Sequence, residues 1–148
     1  MKWIIRILVI AVFTQCSTIT DSYQQTIKFN NNWYFLMQEN ESDTTNYVTN
    51  FTKENWQRVQ LPHTPRIEPK IVNDQWQGIS WYKKTFSLNH LYNNRKLFLK
   101  FEAAMNIAEV WVNGQKLKTH QGGYLPFAID ISDVVKFSDD NEITVRLN

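Results

Sequence analysis

Cysteine is nearly absent: the 148 residues contain one, Cys16. That excludes an internal disulfide and a cysteine-rich zinc site, and no metal or other cofactor is expected. Glycine and proline are scarce at four each, which excludes a low-complexity linker and a collagen-like fibre. An excess of one charge is also missing. There are 16 basic and 14 acidic residues, and Lys2 and Arg6 lie in the leader, leaving 14 against 14. No polybasic surface for nucleic acid survives that subtraction. Helical periodicity is absent throughout. Aromatic residues are abundant, with six Trp, six Tyr and nine Phe in a chain that is 43% hydrophobic. This supports one packed domain of ordinary size and excludes a disordered tail.

Residues 1–16 read as an export signal. Lys2 and Arg6 supply a positive start, and Ile7 to Phe13 form an apolar run of seven residues. As a helix that run spans about 10 Å, too short to cross a bilayer. Cys16 follows directly, before polar Ser17 to Gln25. The arrangement resembles a bacterial lipoprotein signal in which Cys16 becomes the lipidated first residue, although Gln15 stands where such signals prefer a small residue. The alternative is plain cleavage nearby, with Cys16 lost or free. The expected location is the periplasm or the cell surface, with membrane contact only through a lipid anchor. Residues 17–23 would then be a polar tether and 24–148 one domain.

Alternation with period two recurs along that domain. Leu97, Leu99 and Phe101 share one face, as do Ala108, Val110 and Val112; Phe127, Ile129 and Ile131; and Ile143, Val145 and Leu147. Each row fits a strand with one face in a core. Asn113-Gly114 is a strong hairpin signal between runs 107–112 and 115–119, because a type I′ turn needs positive φ at both central residues. The fold class is all-β, an antiparallel sandwich. The stretch 38–55 is polar, carries Asn-x-Ser/Thr sequons at Asn40 and Asn50, and reads as a surface loop. Leu61 to Asn73, with Pro62, Pro65 and Pro69, is too proline-rich for a central strand.

Three segments carry a family resemblance. They are Trp56-Gln-Arg-Val-Gln-Leu-Pro-His63-Thr-Pro, then Gly78-Ile-Ser-Trp81-Tyr82-Lys83-Lys84-Thr85-Phe86, then Phe101 to Gly114 with His120-Gln-Gly122-Gly123-Tyr124-Leu-Pro126-Phe127 and Asp130-Ile131. In this order they resemble the N-terminal domain of glycoside hydrolase family 2, which contains β-galactosidases, β-glucuronidases and β-mannosidases. The resemblance implies a jelly-roll β-sandwich of the galactose-binding-like type, termed the sugar-binding domain, packed against a catalytic TIM barrel. It also implies a retaining exo-glycosidase with two Glu residues on that barrel, as a close carboxylate pair at the ends of barrel strands requires. No acidic residue here sits in a segment resembling the catalytic motifs, so no catalytic residue is carried over.

Among single residues, His63 and His120 lack an acidic or histidine partner at ligand spacing and read as structural hydrogen-bonding groups. Gly122-Gly123 lacks the following helix and lysine of a phosphate cradle and reads as a bend. Trp81 and Tyr82 point to opposite faces, and Trp111 lies opposite Val110 and Val112. An outward Trp can stack on a sugar or pack on a neighbouring domain, and the second reading is favoured. By resemblance, Trp111 and Tyr124 occupy positions that pack on other domains. Asp74, Gln75, Trp76 and Gln77 are the candidate sugar contacts. In similar enzymes the loop at this place reaches the active-site pocket, and an acid, two amides and an indole suit hydroxyl binding and stacking on a pyranose. An exposed turn is the alternative.

The chain is therefore expected to be the N-terminal carbohydrate-binding segment of an exported β-galactosidase-like glycosidase acting on a terminal β-linked sugar. Its partner is the catalytic barrel, and the segment alone is inactive. A stand-alone glycan-binding surface lipoprotein is the alternative function. Because the alternating run Glu142 to Leu147 reaches nearly to Asn148, the sandwich is expected to be incomplete at its C-terminus. The rows Leu97/Leu99/Phe101 and Ile143/Val145/Leu147 would then be poorly covered.

Overall fold

The fold is described for residues 24–39, 42–66 and 77–148 of a computed structural model. Eight strands succeed one another: β1 (Trp33–Gln38), β2 (Gln57–Val59), β3 (Ile79–Phe86), β4 (Phe98–Phe101), β5 (Ile107–Val112), β6 (Gln115–Gln121), β7 (Phe127–Asp130) and β8 (Asn141–Leu147). Six form one antiparallel sheet in the order β2-β1-β3-β8-β5-β6, while β4 and β7 pair as a second sheet. The architecture is a β-sandwich, as the alternating rows require.

The core lies between the sheets. Trp33 and Phe35 of β1, Tyr82 of β3, Ala108, Val110 and Val112 of β5, Ile143 and Val145 of β8, and Phe127 and Ile129 of β7 form one buried cluster. Successive side chains of a strand point to opposite faces, so these residues recur at every second position. The β5–β6 connection turns at Asn113 (φ 51°) and Gly114 (φ 81°), matching the type I′ expectation. The Asn113 side chain also ties the turn to the body of the domain. Its Nδ2 donates to Val134 O at 2.7 Å and to Asn141 Oδ1 at 2.9 Å, and its Oδ1 accepts from Glu142 N at 3.0 Å. Asn141, fully buried, clamps the Lys136 peptide by accepting from its N–H and donating to its carbonyl, both at 2.7 Å.

One expected weakness is absent. The row Ile143/Val145/Leu147 is not poorly covered, because β8 is a central strand paired with both β3 and β5. Ile143 is 0% and Val145 3% exposed, with Leu147 packed against the same cluster. Beyond β8, Asn148 exchanges backbone hydrogen bonds with Ile107. The row Leu97/Leu99/Phe101 is half-buried against the core, in the smaller sheet.

The stretch read as a surface loop does more than that. Beyond Gln38 and Glu39, its described part, residues 42–55, runs with Trp56 as a strap across the outer face of the large sheet. Tyr47 packs on Trp81 at 5.4 Å, Phe51 on Tyr34 at 5.2 Å and on Trp56 at 5.3 Å. Trp56 and Trp81 are buried in consequence. Beneath the strap, the Lys83 ammonium donates to Val48 O at 3.0 Å and pairs with Glu142. Gln38 donates to Asp43 O at 3.2 Å and accepts from Trp81 Nε1 at 2.9 Å. At the strap's start Asp43 accepts from Thr45 N, Thr45 Oγ1 and Tyr47 Oη. Those hydrogen bonds, Thr45's hydroxyl first, hold the Asp43 carboxyl below the usual range.

Candidate functional site

Register fixes which segments meet at one end of the large sheet. Gln38 pairs with Ile79, Ser80 with Leu147, Leu147 with Ala108 and Ala108 with His120. Residues 77–78, 105–106, 122–125 and 148 therefore leave the sheet side by side. Gln77 is described there and is exposed. Asp74, Gln75 and Trp76, the other candidate sugar contacts, lie outside the described residues, as does Cys16.

The backbone at this end is tightly built. Gly122 takes φ 120° and donates its N–H to Asn106 O at 3.0 Å. A Cβ at Gly123 would sit 2.9 Å from Met105 Cγ and 3.0 Å from Asn106 Oδ1, so only glycine lets the two segments approach this closely. The paired glycines make a bend, as expected from the missing helix and lysine. The close approach displays apolar side chains to solvent: Met105 is 47%, Leu125 61% and Tyr124 83% exposed. Exposed apolar groups clustered at one edge are a common feature of interaction surfaces.

His63 and His120 are both structural. His63 Nδ1 shares a 3.0 Å hydrogen bond with the Tyr82 hydroxyl, and its ring lies 4.6 Å from Phe35. Desolvation lowers the His63 pKa and raises that of Tyr82 to about 12, so the pair stays neutral. His120 stacks on Phe127 at 4.1 Å and its Nε2 lies 3.2 Å from Gly122 O.

Several carboxylates are committed as well. Asp130 accepts from Ser132 Oγ at 2.6 Å and Ser132 N at 2.9 Å and pairs with Lys96 at 3.0 Å, which together depress its pKa to about 2. Glu109 accepts from Lys116 and, at 3.0 Å, from Arg146, and is held ionised chiefly by the Lys116 contact. Glu142 serves Lys83. Carboxyls held low like those of Asp130 and Glu109 fix geometry and are poor proton shuttles at neutral pH.

Outward-facing Trp81 and Trp111 meet different fates. Trp81 is covered by the chain's own strap, which answers the choice between sugar and neighbouring domain with neither. Trp111 is half-buried beside it, centroids 5.9 Å apart. The strap was missed in the sequence because its composition is polar; the signal available was the aromatic set Tyr47, Phe51 and Trp56 within it.

The profile described as "Glycosyl hydrolases family 2, sugar binding domain" matches residues 10–147. A β-galactosidase of Thermoanaerobacter pseudethanolicus is 31% identical over 125 residues, covering 82% of this chain and 16% of that protein. A putative β-glucuronidase of Formosa agariphila is 37% identical over 121 residues, covering 80% of this chain and 14% of that protein. Among solved structures, a putative β-galactosidase from Bacteroides fragilis superposes with a TM-score of 0.71 at 32% identity, covering 82% of this chain and 18% of that one. A Bacteroides uniformis β-glucuronidase superposes with a TM-score of 0.72 at 25% identity, covering 82% and 14%. The chain thus spans less than a fifth of the length of each of these relatives. On the profile match over nearly all of the sandwich, the chain belongs to the sugar-binding domain family of the family 2 glycosyl hydrolases.

Proposed function

We propose that this chain is the N-terminal carbohydrate-binding segment of an exported, retaining exo-glycosidase of β-galactosidase or β-glucuronidase type. The whole enzyme hydrolyses the O-glycosidic bond of a terminal β-linked sugar. Bond cleavage belongs to a catalytic domain, where two carboxylates about 5 Å apart act as acid/base and nucleophile. Among the described acids, Asp43, Glu109, Asp130 and Glu142 each accept hydrogen bonds or ion pairs from fixed structural partners. They leave that chemistry to the rest of the enzyme.

The observation that carries this reading is that Gln77 and exposed Met105, Tyr124 and Leu125 lie at the same end of the large sheet. The apolar trio docks on the catalytic domain, and docking aims the loop ending at Gln77 into the active site. There Asp74, Gln75, Trp76 and Gln77 hold the terminal sugar. A rigid sheet edge is a good base for such a loop, since positioning errors near 1 Å are costly in catalysis. Export rests on Lys2, Arg6 and the run Ile7 to Phe13, with a lipid anchor on Cys16.

The test is kinetic, in the enzyme with its catalytic domain. Trp76→Ala should lower kcat/KM by about 1–3 kcal/mol, the scale of a lost stacking or hydrogen-bonding contact. Unchanged kinetics would make the loop an ordinary exposed turn.

A further inference from the structure

The outer face of the large sheet carries an aromatic surface that the strap leaves partly open. A cross-strand row runs Trp81–Arg146–Glu109, and Trp111 follows Glu109 by two positions on the same face of β5. The two indoles are tilted by 32° at 5.9 Å. Between them, the strap and the β5–β6 hairpin lies a groove of about 500 Å³. That is within the range of small-molecule sites. Its other walls include Asn46, Thr49 and Gly114. Space beside Gly114 is open, since a Cβ there would meet nothing within 4 Å.

We infer that this groove is a second saccharide-binding site, separate from the sheet end, in which a pyranose stacks on Trp111 and is held by Arg146 and Glu109. The chemistry of the walls favours a sugar over a protein partner. An indole face takes the apolar C–H side of a pyranose, while charged groups at its edge make the stronger class of hydrogen bond to hydroxyls. Glu109 is preorganised by Arg146 Nη1 at 3.0 Å and by Lys116, whose ammonium also lies 5.4 Å from the Trp111 ring centroid. None of the strongly exposed large apolar side chains of the described residues lies here; Met105, Tyr124 and Leu125 are at the sheet end. The inference rests on the chain being carbohydrate-binding, and is independent of the loop 74–77.

The test is a titration of the chain with lactose and cellobiose, followed through the indole N–H signals in ¹⁵N–¹H spectra. The Trp81 and Trp111 signals should shift saturably. Trp111→Leu, which keeps apolar bulk without a ring face, should weaken binding about tenfold or more. Trp111→Tyr should retain it. Should the leucine variant not fold, Arg146→Lys replaces it, with weakened binding expected. No saturable shift, a shift confined to Trp76, or equal affinity in Trp111→Leu would overturn the site. Failure of the loop reading would show instead in the kinetics of the Trp76→Ala enzyme, with these titrations unaffected.

Discussion

Glu142→Gln should destabilise the domain more than Lys83→Met, although both remove the same ion pair. The Lys83 side chain is 2% exposed and the Glu142 side chain 33%. Glutamine keeps the shape and an accepting oxygen, but leaves the ammonium beneath the strap with no counter-charge, only neutral acceptors such as Val48 O and the Phe51 ring 5.4 Å away. Stranding a buried charge costs about 3 kcal/mol or somewhat more. Lys83→Met strands a carboxylate that water already reaches, and methionine fills the stem's space. The loss is then mainly the charged hydrogen bond to Val48 O, about 2 kcal/mol. Urea unfolding followed by tryptophan fluorescence measures both, with the double variant closing the cycle. Hydrogen exchange adds a local check, because either change should expose the amides around Val48 before global unfolding. The reasoning is refuted if Lys83→Met costs more than Glu142→Gln, or if both fall within about 0.5 kcal/mol of the parent.

Further outcomes follow from other buried groups. Asn141→Leu removes both hydrogen bonds to the Lys136 peptide and one to Asn113, so it should cost about 3 kcal/mol in urea unfolding; a loss below about 1 kcal/mol would show that water replaces them. His63 has a pKa lowered by burial, so its contribution is full above the unfolded value near 6.5 and fades as pH falls through the folded value. Stability should therefore decline as pH falls below about 6.5, and His63→Gln should flatten that decline; an unchanged slope would contradict the assignment. Gly123→Ala, by forcing a Cβ against Met105, should lower the melting temperature and loosen the sheet end, seen as faster exchange of the Gly122 amide.

The parts of the fold that were legible in the sequence are the strands with one wet face. Val110 and Val112 alternate with Glu109 and Trp111, and Asn113-Gly114 marks the hairpin without ambiguity. β3 is different. Ser80 to Lys84 are all buried, because the second sheet covers one face and the strap the other. Two lysines in such a strand read as solvent-facing until their partners are known: Val48 and Glu142 for Lys83, and Asn31 O with the Phe29 ring for Lys84. The strap itself is held by backbone carbonyls and an Asx turn at Asp43, which leave no hydrophobic period. The place of β8 was equally hidden, since alternation reports which face is buried but not whether both edges are paired. As for the site, the loop 74–77 was named from a resemblance and a set of sugar-compatible side chains. The exposed trio at the same end as Gln77 becomes visible only once register brings residues 105 and 122–125 there.

The central claim is that this chain binds and positions while another part of the enzyme cleaves. The most direct measurement is turnover of p-nitrophenyl β-D-galactopyranoside and p-nitrophenyl β-D-glucuronide by the purified 148-residue chain alone. The account predicts no release of nitrophenol above buffer with either substrate. Turnover that disappears on substituting a single residue of this chain would contradict it.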